Sequence, residues 1–114
     1  MADDVVYINV AEGTKRVMNN AKFYIKLITK FKADTNLDEL EGALEAGDLE
    51  KAQGAAHTIK GLSANLSLTE LNKQSLELET QIKAKAVDPN QITVLKNVFA
   101  LTLTEIDKVI AQND

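Results

Sequence analysis

For almost the whole of this 114-residue chain, apolar side chains return every three or four positions, and no useful run alternates apolar with polar. The first spacing lays an apolar stripe along a helix, whereas a half-buried strand needs the second. With one proline and five glycines to interrupt it, the chain is predicted to be all-α.

End signals divide it. A short helix from Val10 to Met18 follows Asn9, which forms a capping-box pattern with Glu12. The stretch Ala21 to Lys32 carries Tyr24, Leu27, Ile28 and Phe31 at helical spacing. Leu37 to Ala46 carries Leu37, Leu40 and Leu44 and stops at Gly47, a residue suited to the left-handed position after a helix. Asp48 caps a fourth helix, Leu49 to Leu66. For the fifth, Ser67 with Glu70 makes a capping box and Leu66 with Leu71 the matching hydrophobic staple, ahead of a seam of Leu71, Ser75, Leu78 and Ile82. The sixth has Asp88 as cap, Pro89 in its first turn and Val87 set to pack on Ile92. It continues through Leu95, Phe99, Leu103, Ile106 and Ile110. Four longer helices with short connections, preceded by one or two short additional N-terminal helices, predict an antiparallel four-helix bundle in a single domain over 1–114.

Composition narrows the function. A hydrophobic share of 45% supports one modest core and leaves no room for a second catalytic domain. Thirteen basic against 17 acidic residues give a net charge of −4, which argues against a protein that binds nucleic acid by neutralising phosphates. Lys22, Lys26, Lys30 and Lys32 cluster locally and read as a solvated helix face. The absence of cysteine excludes disulfides, thiol redox chemistry and cysteine metal sites. Asp3 and Asp4 are unlike a secretory leader, and no apolar run approaches the roughly 18 residues a membrane span requires. The chain is therefore expected to be cytoplasmic, without a membrane partner. It is also expected to be a monomer, because its helical wheels leave no second large apolar face.

The chemistry gathers in the stretch AAHTIKGLSANLS, residues 55–67, which holds the only histidine. At about 100° per residue, Ala52, Ala55, Ala56, Ile59, Ser63 and Leu66 fall on the inner side of the fourth helix. His57 lies roughly 150° away, with Glu50, Gln53, Gly54, Lys60, Gly61 and Ala64 around it on the outer face. Each glycine inside a helix costs about 1 kcal/mol relative to alanine. Two of them beside an outward histidine are best explained if Gly54, Gly61 and Ala64 clear side chains away, so that another protein can bring a reactive group close.

A neutral imidazole is a good nucleophile, and with an ordinary pKa of about 6.5 an exposed histidine is mostly neutral at pH 7. Lys60 sits one turn along, where its ammonium can balance a phosphoryl group on the ring. No serine or cysteine triad, zinc ligand set or glycine-rich phosphate loop can be argued from the remaining residues. The phosphoryl group would have to come from another protein.

The run Ala56-His57-Thr58-Ile59-Lys60-Gly61, followed by Ser63-Ala64-Asn65-Leu66, resembles the signature of histidine-containing phosphotransfer (HPt) domains. Leu71, Leu78 and Glu79 match that pattern on the next helix. Upstream, Leu40, Ala43 and Leu44 with Gly47 and Asp48 look like the family's approach to its active helix, so the resemblance spans about Ile8 to Glu79. It implies a four-helix bundle whose exposed histidine takes a phosphoryl group from a response-regulator receiver aspartate, or from a hybrid histidine kinase, and passes it to another receiver. His57 would be phosphorylated, Lys60 would assist electrostatically, and Gly61 would give access. Gln53, Gly54, Gly61 and Ala64 would form the docking surface. No cofactor is implied for this chain itself, and magnesium is expected on the receiver. Glu79 matches a position where a polar side chain can hydrogen-bond the imidazole and leave Nε2 as the nucleophile, with a solvated carboxylate as the alternative.

The sequence departs from the family at Ser67, where glycine is usual, and at Ser75, where cysteine is frequent. Ser67 as a helix cap would still allow the turn. Two other readings remain open: the phosphoacceptor of a separate chemotaxis-type kinase, and a helical adaptor that docks but transfers nothing.

Overall fold

The computed structural model describes residues 5–113, so Asp3 and Asp4 lie outside it. Among the described residues there are six helices and no strand. They are α1 (Val10–Arg16), α2 (Ala21–Phe31), α3 (Asn36–Glu45), α4 (Leu49–Asn65), α5 (Thr69–Lys83) and α6 (Pro89–Gln112). Three-residue connections after α3 and α4, and five residues after α5, reverse the chain each time, so α3, α4, α5 and α6 pack antiparallel as successive neighbours. Helix α2 lies against α6, and α1 leans on α2. This is the expected bundle with two short helices in front of it.

The caps explain most boundaries. Side chains of Asn9, Asn20, Asp48 and Asp88 accept from the free backbone N–H groups of Glu12, Phe23, Lys51 and Asn90. Gly47, at φ +72°, takes the left-handed position after α3, and Asp48 N–H returns to Ala43 O at 2.9 Å. Helix α1 stops short of Met18 because Met18 and Asn19 turn left-handed, at φ 58° and 62°.

The start of α5 differs from the sequence expectation. Ser67 does not cap α5; it follows α4 in the left-handed region at φ 58°, while Leu68 N–H closes on Ser63 O at 2.8 Å. That conformation suits glycine better than serine. The Ser67 hydroxyl donates to Glu12 Oε1 at 2.8 Å. In place of a side-chain cap, Glu70 N–H in the first turn of α5 donates to Val6 O at 3.0 Å.

The core runs through the interior of the bundle. On α4, all six residues assigned inward, Ala52, Ala55, Ala56, Ile59, Ser63 and Leu66, are buried. On α5, Leu71, Ser75, Leu78 and Ile82 are buried as expected. On α6 the buried line is Leu95, Val98, Thr102, Ile106 and Val109, with Phe99, Leu103 and Ile110 flanking it. The buried hydroxyls of Ser63, Ser75 and Thr102 each donate to the carbonyl four residues back, so none is stranded. Helices α4 and α5 share the most extensive contact in the bundle, helped by small buried side chains at Ala52, Ala55, Ala56, Ser63 and Ser75. The ring of Tyr24 is buried against Gly13, and its hydroxyl donates to Leu66 O at 2.6 Å. Burial first, then the nearby Glu12 charge, pushes the Tyr24 pKa up to about 12.

No helix among the described residues is long and apolar enough to cross a membrane. Lys22, Lys26, Lys30 and Lys32 are all exposed, and Lys32 pairs with Asp107 across to α6.

Candidate functional site

The site is built where α4 and α5 run closest. His57 projects from the outer side of α4 with 67% of its side chain exposed. Behind it, on α5, stands Glu79, a carboxylate with only 2% of its side chain exposed. It follows Leu78 and precedes Ile82 by three residues, so the inward stripe of α5 carries it into the seam with α4. Asn72 Nδ2 donates to Lys60 O at 2.9 Å and helps fix the register of the two helices beside the histidine.

Glu79 has a partner on each oxygen. Oε2 lies 3.0 Å from His57 Nδ1, and Oε1 lies 2.8 Å from the Lys60 ammonium in an ion pair and accepts no hydrogen bond. Lys83, one turn along α5, brings a second ammonium to 3.7 Å from Oε2. Burial alone would raise the carboxyl pKa, but the close contacts of Lys60 and His57, with the charges of Lys60 and Lys83, outweigh it, and the net shift is downward. Glu79 is thus an ionised buried carboxylate held by cations, not the solvated one that the sequence left as an alternative.

This arrangement fixes the imidazole. A carboxylate only accepts, so Nδ1 must carry the proton in that bond. In the neutral ring the lone pair then sits on Nε2, the ring nitrogen not engaged by Glu79. A shallow open depression next to the ring is lined by Glu50, Gln53, Gly54, His57, Glu79 and Lys83.

Of the seven residues picked out from sequence, His57, Lys60 and Glu79 come together as one bonded cluster. Gln53 and Gly54 line the depression. Gly61 is exposed on the same face, while Ala64 is half-buried, and neither lines the depression. A Cβ built on Gly54 or Gly61 would meet nothing within 4 Å, so neither glycine is required by packing inside this chain.

Lys60 departs from expectation. It is half-buried, with 28% of its side chain exposed, because its ammonium turns back onto Glu79. Lys83 was not singled out, although its position four residues after Glu79 is the spacing of a helical ion pair. Among the described residues, no group of three or more histidine, aspartate or glutamate side chains could hold a metal ion.

A model of the Hpt domain family matches residues 28–111, from within α2 to near the end of α6. No curated protein and no solved structure matches the chain.

Proposed function

Since the chain belongs to the Hpt domain family, whose members are phosphotransfer modules of two-component relays, we propose that His57 is its phosphoacceptor and that Nε2 is the attacking atom. The observation that carries the reading is an exposed imidazole whose Nδ1 is held at 3.0 Å by a buried, ionised carboxylate.

In the step proposed, a receiver's aspartyl phosphate reaches the open face over His57. The Nε2 lone pair attacks phosphorus, the N–P bond forms, and the P–O bond to the aspartate breaks with its electron pair leaving on the carboxylate. Nε2 has no proton to lose in this tautomer. The ring keeps its Nδ1 proton and gains positive charge, which the Glu79 carboxylate stabilises. Transfer to a second receiver is the same step reversed. The divalent metal of the reaction belongs to the receiver on this reading. Gly54 and Gly61 leave open space on either side of the histidine, and Gln53, Gly54, Gly61 and Ala64 are proposed as the docking surface. The protein is proposed to act as a cytoplasmic monomer.

The test is transfer of label from phosphorylated receivers, with magnesium, to the purified protein. An acid-labile, base-stable product that disappears in His57→Gln is expected. Labelling of His57→Gln would refute the site, and failure across the source organism's receivers and kinases would refute the function. Label arriving only from ATP and a separate kinase would instead favour the chemotaxis-type phosphoacceptor.

A further inference from the structure

Two lysines stand near His57, and they are differently placed. The Lys60 ammonium is 2.8 Å from Glu79 Oε1 on a half-buried side chain. The Lys83 ammonium is 3.7 Å from Oε2 on a side chain 57% exposed. Lys83 lines the depression beside the imidazole and Lys60 does not.

Resting on the phosphotransfer reading above, we propose that Lys83 is the cation that meets the phosphoryl group on His57, while Lys60 is a positioning residue that holds Glu79. To reach a phosphoryl group, Lys60 would have to leave a buried carboxylate oxygen that accepts no hydrogen bond and is met by the Lys60 ammonium as an ion pair. Uncovering a buried charge in this way is strongly unfavourable. Lys83 sacrifices much less. Its contact with Glu79 is long and solvent-exposed, Oε2 keeps the His57 proton, and a four-carbon stem lets the ammonium swing. Glu50 also lines the depression and adds an anion to it, and Lys83 is the lining cation that counters it.

Phosphoramidate, a small phosphoryl donor, can load His57 without any receiver, and the ³¹P signal of the product can then be followed across pH. An ammonium beside the phosphoryl group favours its dianion, so Lys83→Ala should raise the apparent phosphoryl pKa by about half a pH unit, and Lys60→Ala by less than half as much. Lys83→Arg should restore the wild-type curve. In receiver assays Lys83→Ala should slow transfer about tenfold. Loading with an unmoved ³¹P titration in Lys83→Ala, or a larger displacement in Lys60→Ala, overturns the assignment of Lys83 and leaves the phosphotransfer function standing. A displaced titration in Lys83→Ala with no transfer to the wild-type protein from any receiver overturns the function and leaves Lys83 as the phosphoryl contact. Failure of phosphoramidate to load His57 overturns both.

Discussion

Replacing Gly54 and Gly61 with alanine separates what the fold needs from what a partner needs. Both sit within α4, and a Cβ on either meets nothing within 4 Å. The methyl groups therefore cause no internal clash, and the helix gains about 1 kcal/mol at each site, or about 2 kcal/mol together. For a chain of this size, that corresponds to a rise in Tm of about 8 °C, at roughly 4 °C per kcal/mol. If the glycines are a clearing for a docking protein, the same methyl groups intrude on a close interface. Overpacking of that kind costs about 1–3 kcal/mol, or about thirtyfold in kcat/KM for receiver transfer near the middle of that range. Gly42→Ala on α3 is the control, because Gly42 also has open space around its Cβ and lies outside the His57 depression. It should stabilise by about 1 kcal/mol and leave transfer unchanged. Calorimetry and transfer kinetics on the double variant and on Gly42→Ala decide the matter. A double variant that is more stable and transfers at the wild-type rate would remove the reason given for the glycines. One that is destabilised would show that they serve packing.

Two further perturbations reach the parts that hold the site. The Glu79 carboxyl is shifted down in the folded protein from its ordinary value of 4.5. The folded state thus binds fewer protons than the unfolded chain between the two values, and the stability Glu79 contributes is present above 4.5 and lost as pH falls through the lower folded value. Glu79→Gln should flatten the acid side of a stability–pH curve from urea melts, and an unchanged slope would mean that Glu79 is not held as an ion. Gly13 contrasts with Gly54: a Cβ there would fall 2.2 Å from Tyr24 Cε1 and 2.6 Å from its hydroxyl oxygen. Gly13→Ala should lose about 2 kcal/mol, from about 2 for overpacking and about 1 for the strained Tyr24–Leu66 hydrogen bond, less about 1 for helix propensity. A variant as stable as the parent in urea would refute the packing of α1 on Tyr24.

The buried side of α4 was legible residue by residue, because a 3.6-residue period needs only the chain's own spacing. His57 and its glycines followed from the same wheel. What lay beyond was contact between helices. A wheel drawn on α4 gives the direction in which Lys60 leaves its axis, but not that a carboxylate on α5 stands within 2.8 Å of its ammonium. Glu79 sits beside the apolar stripe of α5, where a carboxylate could as well turn to water. Only the close approach of α4 and α5, with their small seam residues, makes it a buried ion. Lys83 was overlooked because its meaning depends on Glu79. Ser67 misled for another reason: a serine before a helix is a frequent cap, and nothing in its immediate neighbours distinguishes that from a left-handed residue ending the helix before.

The central claim is that Glu79 holds the Nδ1 proton of His57 so that Nε2 takes the phosphoryl group. Long-range ¹H–¹⁵N NMR of the imidazole, recorded before and after phosphorylation by a receiver, reads both nitrogens directly. The account predicts a proton on Nδ1 in the free protein and an N–P bond at Nε2 in the product. A phosphoryl group on Nδ1, or a free imidazole protonated on Nε2 instead, would contradict it.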